Sequence, residues 1–338
     1  MTTKKQTAEK KKKSLSERHK DFLSRRPHRS FQFTRRRDYK RSLALPGYWS
    51  FTNEVRATLW QHKALFAKLL GVYAILSMLL VGMISQETYT TFSENLAIIN
   101  DEVFSGSIGS VAQTAALFGA TITGSLNQTP SESQQIYGGL LFLLGWLTTV
   151  WLLRQLLAGH KVKLRDAIYS SGAPIVSTFI ILLVILIQLL PLAIALVAYG
   201  AAQQTGLLEE GFVNMAFWVV ASLLALMSLY WITSSFIALI IVTLPGMYPF
   251  VALKNAGDLV VGRRLRIMLR LLWLAFIVLL VWAIILIPII LLAGAINITW
   301  LPLVPITTVL LSSFTLIWAS SYIYLLYRKL IDDKAPPA

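Results

Sequence analysis

The chain has 338 residues, of which 56% are hydrophobic and 14% charged, with a net charge of +15 and no cysteine. Soluble domains carry roughly 25% charged residues, so this composition describes a helical membrane protein and leaves no soluble domain large enough to act as an enzyme. The missing cysteine excludes disulfides and thiolate metal sites.

The first predicted element, residues 1–44, is a basic cytosolic tail. Residues 1–42 hold sixteen Lys and Arg, including Lys10–Lys13 and Arg35–Arg37, among few large apolar side chains. Such a segment buries too little apolar surface to offset its ordering entropy and is expected to be disordered. Two roles fit it. It can be a solvated tail that fixes topology, or it can lie on the anionic cytoplasmic leaflet, where each basic residue contributes about 1 kcal/mol. Nucleic acid would attract the same charge. A tail tethered beside a membrane meets anionic lipid first, so nucleic acid is the weaker partner.

Residues 45–63 read as an interfacial amphipathic helix. Phe51, Val55 and Leu59 recur at helical spacing, Trp49 and Trp60 flank them, and Asn53, Arg56 and His62 occupy the opposite side. Ser50 or Thr52 is the expected N-cap.

Residues 64–330 then contain six apolar stretches, Ala64–Ser85, Tyr137–Leu157, Gly172–Tyr199, Phe212–Val242, Leu271–Ala293 and Leu301–Tyr327. Each reaches the roughly 20 residues that a bilayer core requires. Gln86–Gln135, Gly200–Gly211 and Gly294–Trp300 contain no Lys or Arg, whereas the other two gaps carry Lys161, Lys163 and Arg165, then Lys254, Arg263, Arg264, Arg266 and Arg270. Basic residues beside spans stay cytosolic, so both termini, including a short tail at 331–338, are expected in the cytosol. Ala64–Ser85 reads as an uncleaved signal anchor, because a long basic region precedes it and no small-x-small site follows. The segment 86–135 is then external. Its uncharged stretch Phe104–Leu126 is rich in Gly, Ser and Thr and reads as a surface-lying or partly re-entrant helix.

The fold class is therefore all-α, a polytopic bundle of six transmembrane helices. A shift of 97 residues pairs Phe179 with Phe276 and Pro191 with Pro288, each behind a basic elbow. This is the pattern of a parallel helix–elbow–helix repeat, whose prolines would kink their helices.

Catalytic chemistry finds little to stand on. Between Ala173 and Val251 the only charged residues are Glu209 and Glu210, and the deep polar groups are Gln188, Asn214 and scattered hydroxyls. Three of the four histidines precede residue 63. No catalytic, metal or cofactor residues are assigned and no cofactor is expected. Asp166 and Asp258, set in separate elbows, read as ion-pair partners of neighbouring Lys and Arg. The best contact surface is Lys254, Arg263, Arg264, Arg266 and Arg270. On a helix, Arg263, Arg266 and Arg270 share one face, suited to anionic phospholipid headgroups or an acidic protein partner.

The run from Pro249 through Ala252, Leu253, Leu259, Val260, Gly262 and Arg263 resembles the signature of a membrane domain. That domain precedes the catalytic domain of some bacterial glycerophosphodiester phosphodiesterases. The resemblance covers roughly residues 137–327 and implies a multi-pass protein of the bacterial cytoplasmic membrane. The catalytic barrel with its acidic metal ligands is absent from this sequence, so the phosphodiesterase activity is not implied. Two functions remain: a non-enzymatic scaffold or lipid-interacting factor with a basic cytosolic face, or a permease whose Pro-kinked helices line a substrate path.

Overall fold

The computed structural model describes residues 45–81, 132–205, 211–296 and 303–331. The basic tail, the stretch Phe104–Leu126 and the C-terminal tail lie outside the described residues. Regular structure among those described is entirely helical. The helices are α1 (Tyr48–Gln61), α2 (Lys63–Leu80), α3 (Glu132–Leu157), α4 (Leu164–Ser171), α5 (Ile175–Gln204), α6 (Gly211–Ile241), α7 (Pro249–Val260), α8 (Arg264–Ile296) and α9 (Leu303–Ile331).

Six of them, α2, α3, α5, α6, α8 and α9, are long and apolar enough to cross a bilayer. Several extend past their apolar stretches. Helix α3 begins at Glu132 rather than Tyr137, and α8 begins at Arg264 rather than Leu271. A nucleated helix continues through polar residues at little cost, so apolar length understates helix length. Pro191 and Pro288 both lie inside helices. The short helix α7 starts with Pro249 in its first turn, where the missing N–H costs nothing. It ends before Gly262, whose φ of 77° turns the chain into α8 in a conformation that glycine tolerates.

Three antiparallel hairpins emerge from the side-chain contacts. Tyr73 of α2 meets Thr148 of α3. In α5 and α6, Gln188 meets Ser235, Leu192 meets Ser228 and Tyr199 stacks near Trp218. Trp282 of α8 donates to Thr315 of α9 at 2.8 Å. The last span of each hairpin also packs on the first span of the next: α3 on α5, α6 on α8, and α9 on α2. The short helices follow the same cycle. Helix α4 packs on α2 and α3, and α7 packs on α5 and α6. Helix α1 packs on α9 and reaches α8 through Trp273, which donates to the Thr52 hydroxyl at 3.1 Å. Each hairpin is thus preceded in the chain by a short helix, and α9 packs on α2, α3, α6 and α8. The end bearing α1, α4 and α7 is called the basic end below.

Burial differs between spans and is deepest in α3 and α9. In its most apolar window α3 is 56% buried and α9 39%, against 22% for α2, α5 and α8 and 6% for α6. Interior spans can carry polar groups because protein, not hydrocarbon, surrounds them. Thr308, Ser313, Ser320, Ser321 and Tyr322 of α9 are all buried. Contact is closest at Gly145 of α3, where an added Cβ would lie 2.4 Å from Leu316 Cδ2 of α9 and 3.4 Å from Tyr73 Cε1 of α2. Small residues at such crossings let helices approach without a hydrophobic drive from water.

Helix α1 corrects one expectation. It starts at Tyr48 after Gly47, so Ser50 and Thr52 lie inside it and neither caps it. Thr52 instead donates back to the Tyr48 carbonyl at 2.9 Å. The Phe51–Val55 stripe is fully buried, with Phe51 edge-on to Tyr322 at 4.8 Å, so that face meets protein rather than lipid.

Candidate functional site

The five basic residues singled out in the sequence divide into two groups. Lys254 on α7 and Arg266 on α8 are exposed. Arg264 is half-buried, with its guanidinium 4.3 Å from the Tyr230 ring and a hydrogen bond to Ser234 at 3.2 Å. Arg263 and Arg270 are buried, at 3% and 5% exposure. Arg263 directs its Nη2 to the Leu330 carbonyl at 3.3 Å and to that of Leu259. Arg263, Arg266 and Arg270 therefore do not present one exposed face. Arg263 falls on the Gly262 turn before α8 begins, which breaks the helical spacing, and the neighbouring helix ends bury two of the three.

Arg270 is enclosed by residues far away in sequence. It donates to the Pro46 carbonyl, and its guanidinium lies 5.2 Å from the Tyr48 ring and 5.5 Å from the Phe51 ring. A buried guanidinium costs desolvation energy unless carbonyls and ring faces replace its water. Here they also tether α1 to α8. This arginine reads as a structural clamp.

A cavity of about 310 Å³ lies at the basic end, between the end of α3, the α4–α5 link and the α6–α7 turn. Arg154 enters it from α3 and donates to the Thr243 carbonyl at 2.9 Å. Ser170 and Ser177 supply hydroxyls, while Trp151, Pro174 and Met247 supply apolar wall. A buried chain of hydroxyls fixes this geometry from behind. Thr148 donates to the Leu144 carbonyl at 2.7 Å, and lies 3.0 Å from both the Tyr73 and Ser171 hydroxyls. The three groups join α2, α3 and α4 and set the position of the α4–α5 link. On the opposite wall, Pro245-Gly246 forms a turn closed by Met247 N–H to the Leu244 carbonyl at 3.3 Å, with Gly246 at φ 77°.

Arg154 was not singled out in the sequence. The signal was present, because it is the one charged side chain near the end of an otherwise apolar stretch, three residues before Leu157. An intramembrane or border charge of that kind is a site indicator by default.

The deep polar residues behave differently. Gln188 accepts from Ser235 at 2.8 Å, a bridge between α5 and α6. Asn214 has a buried Oδ1 with no partner among the described residues. A second, smaller cavity lies between α8 and α9 and is lined mainly by apolar side chains such as Ile277, Val281 and Trp318. Neither cavity reaches Gln188 or Asn214. Asp166 lies 3.8 Å from Arg165 and is half-exposed. Among the described residues no group of three His, Asp or Glu is placed to hold a metal ion.

Comparison with protein-family models, with curated proteins and with solved structures finds no match to this chain.

Proposed function

We propose that this is a non-enzymatic integral membrane protein whose basic end faces the cytosol and engages anionic phospholipid of the cytoplasmic leaflet, as a scaffold or lipid-interacting factor. The observation that carries this reading is the setting of Lys254, Arg264 and Arg266. Lys254 stands midway along α7, and Arg264 and Arg266 open α8, immediately before a long apolar run that must enter the bilayer. Such a position supports a place at headgroup level, where each cation near an anionic leaflet is worth about 1 kcal/mol. The same alternation of basic and non-basic gaps supports cytosolic termini, and the resemblance of the run from Pro249 to Arg263 supports a place in the bacterial cytoplasmic membrane. The bridge between Gln188 and Ser235 supports a packed interior rather than a polar path.

The test is the lipid retained by the full chain purified in mild detergent. Anionic phospholipid is expected to be enriched over the bulk membrane, the enrichment falling with added salt and in Lys254→Gln/Arg266→Gln. Retained lipid of bulk composition in both proteins would reject the proposal.

A further inference from the structure

We infer that the cavity at Arg154 is a binding site for one phosphate-bearing headgroup, a phosphate ester held by the guanidinium and the α4–α5 hydroxyls. The inference rests on the lipid-facing reading of the basic end but uses residues that the exposed cations do not touch.

The first argument is charge. Among the described residues no carboxylate pairs with Arg154, and its recorded hydrogen bond uses Nη1 alone. Arginine has five N–H donors in a planar fork. Fixing one of them on the Thr243 carbonyl orients the rest without neutralising the charge. A half-buried cation in a concave site without an acid calls for an anion from outside, and a phosphate ester matches the fork in two-point fashion.

The second argument is the wall. Ser170 and Ser177 have no hydrogen-bond partner among the described residues, and both line the cavity. Hydroxyls can donate to the phosphate oxygens that the guanidinium leaves unbonded. Ser177 also lies in the first turn of α5, where the helix dipole adds positive potential. The volume is at the lower bound of pockets that hold small ligands and is large enough for a glycerophosphate. Trp151, Pro174 and Met247 offer apolar contact for the carbons beyond the phosphate.

The third argument is rigidity. The Thr148 hydroxyl chain holds one wall and the Pro245-Gly246 turn holds the other. A preformed site binds without first ordering its own parts.

A lipid headgroup and a soluble phosphate ester share this chemistry, and the probes separate them. The full chain in mild detergent, stripped of lipid, is titrated with dihexanoyl phosphatidylglycerol, with glycerol 3-phosphate and with inorganic phosphate, and native mass spectrometry counts what is retained. One phosphatidylglycerol per chain, surviving high salt, is expected. Stronger binding of glycerol 3-phosphate would assign the same site to a soluble ester. Arg154→Gln is expected to weaken the bound ligand roughly tenfold or more, the scale of a lost charge-assisted contact, with Arg154→Lys intermediate. Because Arg154 also braces Thr243, Ser177→Ile serves as a second variant that fills the cavity and leaves that hydrogen bond in place. It should abolish binding with an unchanged melting temperature. Full stoichiometric binding by both Arg154→Gln and Ser177→Ile, or no stoichiometric binding of any probe by the wild type, overturns the inference. Loss in Lys254→Gln/Arg266→Gln of diffuse lipid enrichment alone leaves it standing, whereas loss of the single bound ligand in that variant would overturn it.

Discussion

Replacing Gly145 with alanine would place one methyl where α2, α3 and α9 converge, 2.4 Å from Leu316 Cδ2. Carbon atoms in contact sit about 3.5–4.0 Å apart, so the overlap exceeds roughly 1 Å. Leu316 must then leave its rotamer, at about 0.5–1.5 kcal/mol, or the helices must separate. Overpacking of this kind costs about 1–3 kcal/mol, and alanine returns at most about 1 kcal/mol through helix propensity. Gly145→Ala is therefore expected to lose about 1 kcal/mol net. The same change made in a Leu316→Ala background loses the clash and keeps only an ordinary contact with Tyr73 Cε1, so it should cost nothing or stabilise. Reversible unfolding in mixed micelles titrated with a denaturing detergent gives the four free energies of the cycle. Additive costs, with no coupling between positions 145 and 316, would refute the close-approach argument.

Three further outcomes are expected. Arg270→Met removes one charged hydrogen bond and two ring contacts, about 2–4 kcal/mol of tethering, so a Thr52→Cys thiol on α1 should react with maleimide at least tenfold faster in that background; an unchanged rate would show that Arg270 does not hold α1. Reporter fusions at Asn127, Lys163 and Lys334 should report external, cytosolic and cytosolic positions, and a cytosolic signal at Asn127 sinks the proposed topology. Purified protein in lipid should show no metal-dependent turnover of glycerophosphodiesters, and turnover lost in both Asp166→Ala and Asp258→Ala would make the chain an enzyme.

The bundle was legible in the sequence because its cause is compositional. A span must be apolar over a fixed length, and no tertiary contact is needed to see it. The Phe51–Val55 stripe was legible for the same kind of reason, since helical period is local. Arg263 and Arg270 were not. A basic residue beside a span reads as an interfacial cation, and only the fold brings Pro46, Tyr48 and Phe51 around Arg270. Helix α9 was likewise read as one more crossing, though its buried Ser and Tyr place it in the interior. Arg154 escaped notice because its partner Thr243 and the serines of its cavity come from three separate segments. The Ser50 and Thr52 caps failed for a smaller reason. Tyr48 and Trp49 join the helix because their rings rest on Trp273, so tertiary contact moved the start upstream.

The seating of α1 carries a consequence for biosynthesis. Helix α1 leaves the ribosome first, yet the surfaces that seat it, Trp273 on α8 and Tyr322 on α9, are made last. Some 270 residues separate Gln61 from Ile331, roughly 15–55 s of elongation at about 5–20 residues per second. During that interval the Phe51 face of α1 lacks the Trp273 and Tyr322 side of its seat. A chain truncated before α8 keeps that face uncovered indefinitely. The first helix therefore reaches its final seat only when the last hairpin has been made.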